Sequence, residues 1–176
     1  MVVNISVSGP RSATANKAVK ALVEAGVVVV VSAGNHAQSS CAHSPASSEE
    51  VITVSATNVH DAKPFYANYG LCTDIFAPGQ QITSAWIRDS HDQTQLSGTS
   101  LAAPHVAGGT CIFRRATSHS RFVVAAQYLE THPSWSPQNV SKALELHAIR
   151  GQITDIPGTS TPNLLLNLGD LGDPYQ

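Results

Sequence analysis

Ser100 is the residue of this sequence best placed to do chemistry. It stands in Gly98-Thr99-Ser100-Leu101-Ala102-Ala103-Pro104-His105-Val106-Ala107-Gly108, where small residues leave one hydroxyl uncrowded and an Ala-rich run can start a helix. Backbone N–H groups at a helix N-terminus lack intrahelical acceptors, so negative charge developing beside them is stabilised. A serine there can serve as a nucleophile whose oxyanion product is held by the backbone. The plain alternative is a Ser/Ala-rich helix start without chemistry. A second candidate is Asn35, which ends the turn Ser32-Ala33-Gly34-Asn35. An open parallel sheet places its ligands at the carboxyl ends of strands, and this turn follows such a strand. Asn is also common in turns because it tolerates the left-handed conformation, so Asn35 alone reads either way.

The elements that must position these residues read as α/β. Val2 to Val7 is a short β-branched stretch that predicts a strand. Ser12 can cap a helix with apolar positions Ala18, Val19, Leu22 and Ala25 at helical spacing, and Gly26 ends it. Val27 to Val31 is an unbroken valine run, the pattern of a parallel strand covered on both faces. A right-handed βαβ unit follows, and with it a sheet flanked by helices on both sides. Further on, Val124 to Glu130 predicts a helix stopped by Pro133, and Ser136 caps another that opens with Pro137 and runs through Val140, Ala143 and Leu144. The tail from Gly169 is polar and reads as frayed. Asn139-Val140-Ser141 is a glycosylation sequon of low specificity.

Composition narrows the classes. The 176 residues are enough for one domain with a core, 42% hydrophobic and only 12% charged. A net charge of −2 gives no basic surface for nucleic acid or anionic lipid. No stretch reaches the roughly 18 apolar residues of a membrane span, and the N-terminus has neither the basic region nor the cleavage site of a signal peptide. No nucleic-acid or membrane partner and no organic cofactor is expected.

The segment from Gly98 to Gly108 closely resembles the nucleophile motif of the subtilisin-like serine proteases, the subtilases. Ser32-Ala33-Gly34-Asn35 resembles the segment that supplies a side-chain amide to that family's oxyanion hole, with Asn35 as the matching residue. Ser44-Pro45-Ala46-Ser47, Val51 to Ala56, Asn68-Tyr69-Gly70 and Asp74-Ile75-Phe76-Ala77-Pro78-Gly79 follow the order of the proteinase K and aqualysin branch. The resemblance implies a three-layer α/β sandwich with a mostly parallel sheet, here incomplete at its N-terminus, and a serine endopeptidase acting on polypeptides. It implies a P1 pocket walled by Ser6, Val7, Ser8 and Gly9 and by Ser32, Ala33 and Gly34. Ser8 replaces a glycine there, adding a side chain where substrate backbone would pass.

Two structural features are implied in the same way. The proteinase K pattern holds a calcium by two backbone carbonyls and one carboxylate, which map onto Glu49, Val51 and Asp74; such oxygens suit a hard cation. Asp74 could equally cap or solvate a strand end. Cys41 and Cys72 fall where aqualysin-like proteins pair two cysteines. That disulfide would close a loop of about 31 residues, contributing about 3 kcal/mol in the chain-entropy picture. It implies an extracellular, secretory or vacuolar compartment.

Two departures stand out. Residues 109–123 interrupt what the family has as one continuous helix, placing Arg114, Arg115, Arg121 and the odd Cys111 where a buried helix should pass. Unpaired buried charge is strongly unfavourable, so the segment is expected to be an atypical insertion: a surface loop or a translated intron. The second is an absence. The family draws its general base and orienting carboxylate from H-G-[ST]-H and D-[ST]-G segments, and this sequence has neither; none of its eight histidines precedes a glycine. The chain therefore reads as the C-terminal portion of a catalytic domain whose N-terminal part is its missing partner, inactive alone. The alternatives are a non-catalytic binding or inhibitory module and a truncated gene-model product.

Overall fold

The computed structural model describes residues 1–108, 125–158 and 160–167. The expectations for 109–123, Cys111 and the tail from Gly169 lie outside the described residues, as does Val124. The chain begins with β1 (Val2–Ile5), β2 (Gly9–Pro10), α1 (Ala13–Glu24) and β3 (Val28–Ser32). Then come β4 (His43–Ser44), β5 (Ile52–Thr57), β6 (Ile75–Pro78), β7 (Ile82–Ala85), β8 (Gln93–Leu96) and α2 (Thr99–Gly108). It continues through α3 (Ala125–Thr131), α4 (Pro137–His147), β9 (Ile149–Arg150) and β10 (Leu164–Leu165).

The main sheet has the order β1-β3-β5-β6-β10-β9, parallel throughout except for β9. Alternation divides its side chains between two faces. Val28, Val30, Ile52, Val54, Ala56, Ile75 and Ala77 meet α2, α3 and α4, while Val29 and Val31 meet Val19 and Val23 of α1. This is the expected three-layer α/β sandwich. β7 and β8 form a separate antiparallel hairpin leading into α2. Among the described residues no helix is long and apolar enough to cross a membrane.

Local structure departs from the sequence reading in two places. The strand predicted over Val2 to Val7 stops at Ile5, because Ser6 leaves the ladder to bond with α2. In α1, Ser12 caps as expected, its hydroxyl accepting from Ala15 N, but the inward stripe is Val19 and Val23. Ala18, Leu22 and Ala25 face solvent. Helical spacing allowed two neighbouring stripes, and the stripe with β-branched bulk at both positions fills the space above Val29 and Val31. In α4 the expected Ser136 cap and the inward Val140, Ala143 and Leu144 are all present.

Cys41 and Cys72 are joined, with Cα atoms 5.2 Å apart across a sequence separation of 31. The bond ties the loop after β3 to the segment before β6. Just before each cysteine the two stretches of chain run together, the backbone of 37–40 beside that of 66–69, through Ala37 N to Tyr66 O at 2.8 Å, Tyr69 N to Gln38 O at 3.0 Å and Ser40 N to Tyr69 O at 2.7 Å.

Candidate active site

The first turn of α2 is pressed against the ends of β1, β3 and β6. Gly79 makes the approach from β6 possible: a Cβ there would lie 2.6 Å from Ala56 Cβ and 2.9 Å from Gly98 O. Gly98 N donates to Gly79 O at 2.7 Å, fixing where the helix starts. Thr99 is fully buried, and Ser100, the next residue, is half-exposed at the surface.

Pro104 lies inside α2 and has no N–H to offer the carbonyl of Ser100. Ser6 Oγ donates to that carbonyl instead, at 2.8 Å, and Ser100 Oγ donates to Ser6 O at 3.0 Å. This reciprocal pair fastens the candidate nucleophile to the end of β1. His105 Nδ1 bonds to Leu101 O at 2.7 Å along the same helix. Among the described residues no histidine contacts Ser100 Oγ.

Asn35 is drawn to the same helix end. Its Oδ1 accepts from both Thr99 N and Thr99 Oγ1, each at 2.9 Å. Thr99 Oγ1 in turn accepts from Gly34 N at 3.1 Å. With Oδ1 fixed in this way, Asn35 Nδ2 carries no hydrogen bond among the described residues and lies close to Gly98. The N–H of Ser100, in the first turn, lacks an intrahelical acceptor. An exposed amide donor and a helix-terminal N–H thus flank a serine hydroxyl, the arrangement that stabilises an oxyanion formed at that serine.

Of the expected pocket walls, Ser32, Ala33 and Gly34 are buried and Val7 is exposed. Gly9 pairs with Ser44. Ser8 Oγ is buried, 2.7 Å from where a Cβ on Gly34 would sit. Its side chain turns inward under Gly34.

The expected calcium ligands are split by environment. Glu49 is exposed and Val51 buried, while Asp74 Oδ2 accepts from Thr53 N at 2.7 Å, the carboxylate's one hydrogen bond among the described residues. Burial pushes the Asp74 carboxyl up to about 7; the Thr53 N–H opposes this and the charge of Glu145 adds to it. A half-buried carboxylate with so little compensation fits a cation beside it. No group of three or more His, Cys, Asp or Glu converges among the described residues, so backbone carbonyls would have to complete such a site.

Sequence reasoning left Thr99 and Ser6 without these roles. The signal that could have found Ser6 is Pro104, because a proline inside a helix leaves a carbonyl needing another donor.

The parallel-sheet sandwich thus presents a serine in the first turn of a helix beside a pinned asparagine amide. The sequence pattern of the subtilase family matches residues 1–167, and the chain belongs to that family. It is 42% identical over 164 residues to alkaline protease 2 of Aspergillus fumigatus, covering 93% of this chain and 32% of that protein. It is 41% identical over 165 residues to an extracellular serine proteinase of a Thermus species, covering 94% and 36% respectively. The crystal structure of a cold-adapted subtilisin-like serine proteinase superposes with a TM-score of 0.83 at 34% identity, over 96% of this chain and 55% of that one. The chain spans about a third of the length of the curated relatives it matches.

Proposed function

We propose that this chain is the C-terminal portion of a subtilase catalytic domain and supplies the nucleophile and oxyanion site of a serine endopeptidase. Ser100 Oγ attacks the scissile carbonyl carbon and gives up its proton to a general base. The carbonyl oxygen becomes an oxyanion held by Asn35 Nδ2 and the Ser100 N–H. The intermediate collapses with proton transfer to the leaving amine, and water then hydrolyses the acyl-enzyme. The observation that carries this reading is the pair of hydrogen bonds that Thr99 N and Oγ1 donate to Asn35 Oδ1, which leaves the amide donor free beside the nucleophile.

Base and orienting carboxylate come from a polypeptide outside these residues, which completes the domain along β1, the edge strand of the sheet. Polypeptide substrates pass between Ser6–Gly9 and Ser32–Gly34. A structural calcium at Asp74 and the carbonyls of Glu49 and Val51 supplies the counter-charge that the half-buried carboxylate lacks. The Cys41–Cys72 disulfide and the relative named as extracellular support an extracellular or secretory location.

A second reading, a binding or inhibitory module, is favoured by one observation: the Ser100 hydroxyl proton goes to Ser6 O. A fluorophosphonate probe separates the two. The isolated chain, lacking a base, is expected to stay unlabelled, and the completed domain to be labelled at Ser100, with Ser100→Ala abolishing the signal. An unlabelled completed domain would establish the non-catalytic reading; stoichiometric labelling of the isolated chain would mean that another of its residues acts as base.

A further inference from the structure

We propose that Asn68 is a positioning residue for the oxyanion donor: it grips the backbone on both sides of Asn35 and so sets where the Asn35 amide points. The proposal rests on Asn35 being that donor. Asn68 is fully buried, on the loop between β5 and β6, and its side chain is committed to one short segment of backbone. Its Oδ1 accepts from His36 N at 2.9 Å and Gln38 N at 3.1 Å, and its Nδ2 donates to Ala33 O at 2.8 Å. Its own backbone N–H donates to Gly34 O at 2.9 Å. Residues 33, 34, 36 and 38 are all held by Asn68, and residue 35 stands among them.

Asn35 is therefore anchored twice. Thr99 holds its side-chain oxygen. Asn68 holds the peptide groups around it. Thr99 Oγ1 also takes the Gly34 N–H, so the backbone before residue 35 is held from both sides, whereas the two N–H groups after it, of His36 and Gln38, rest on Asn68; without them that side can shift while the bonds to Thr99 survive.

Asn68 itself is held rigidly. Ser55 Oγ donates to its carbonyl at 2.7 Å. Lys63 Nζ donates to Pro64 O at 3.0 Å and Ala67 O at 3.1 Å, stiffening the loop that delivers it. The fit at Gly34 shows how close the approach is: a Cβ there would lie 2.5 Å from Asn68 Nδ2. An aliphatic residue at 68 could fill the volume but could not satisfy two N–H groups and a carbonyl facing it.

The test is a double-mutant cycle in the active peptidase containing this chain. Asn35→Ala is expected to lower kcat by about 10²–10³-fold, as loss of one oxyanion donor does. Asn68→Ala is expected to lower kcat by about tenfold to a hundredfold with KM held within about twofold, the size of a misplacement effect. Combining the two should lose no more kcat than Asn35→Ala alone, because Asn68 acts only through Asn35. Should Asn68→Ala fail to fold, Asn68→Ser is used in the same cycle. Amide hydrogen exchange, which needs no turnover, should speed up over residues 33–38 and stay unchanged in β5. Unchanged kcat in the Asn68 variant, multiplicative losses in the double variant, or exchange accelerating evenly across the sheet would each overturn the proposal. Unchanged kcat in Asn35→Ala would instead remove the reading of Asn35 as donor, and this proposal with it.

Discussion

Gly34 shows how tightly single residues are constrained around the site. Its φ of +101° is one that L side chains rarely adopt, and a Cβ would also meet Ser8 Oγ at 2.7 Å. Gly34→Ala is expected to destabilise the completed domain by about 1–3 kcal/mol, read as a lower thermal midpoint. An unchanged midpoint would mean that the 33–38 turn relaxes without cost. Asp74 gives a second residue-level prediction. Millimolar calcium should raise the midpoint, chelation should lower it, and Asp74→Ala should abolish the response. A response of undiminished size in Asp74→Ala would remove Asp74 from the proposed site. That Ser100 lies in the first turn of a helix and that Asn35 follows the valine strand was legible in the sequence, because local residue types decide both. Thr99, Ser6 and Asn68 were not, because what they do depends on partners brought close only by the fold.

Elements were legible where one pattern excluded its competitors. The β-branched valine run carries the pattern of a strand covered on both faces, and Ser136-Pro137 that of a helix start; both elements are present. In α1 the spacing fitted Ala18 and Leu22 as well as Val19 and Val23, and the sheet beneath decided. The packing of α3 on α4 was not legible at all. There Tyr128 OH bonds His147 Nδ1 at 2.8 Å, and burial pushes the phenol up to about 12. The sign follows from linkage. The neutral phenol is favoured in the folded state, so its contribution is complete below pH 10, the ordinary value, and is lost as pH rises through about 12. Stability of the wild type should fall more steeply over that interval than that of Tyr128→Phe. Parallel curves for the two proteins would show that Tyr128 titrates without coupling to folding.

At the scale of the molecule, the fold class could be read from alternating strand and helix signals, but which strand lies at the edge of the sheet could not. β1 stands at an edge, with Val2, Val3 and Ile5 half-buried along it. Such an edge templates pairing with other chains. The isolated chain is expected to aggregate on heating and to lack a cooperative transition, and a monodisperse monomer with a sharp thermal midpoint would refute this. The reciprocal bonds between Ser6 and Ser100 join positions 94 residues apart, and those between Asn35 and Thr99 join positions 64 apart. Loops of that length close late, after the strands between them have paired. The Ser100 hydroxyl and the Asn35 amide are strangers in the nascent polypeptide, and they meet only when the sheet is finished. For the proposed peptidase this topology is a timer: the Ser100 hydroxyl and the Asn35 amide come together only after the strands between them have paired.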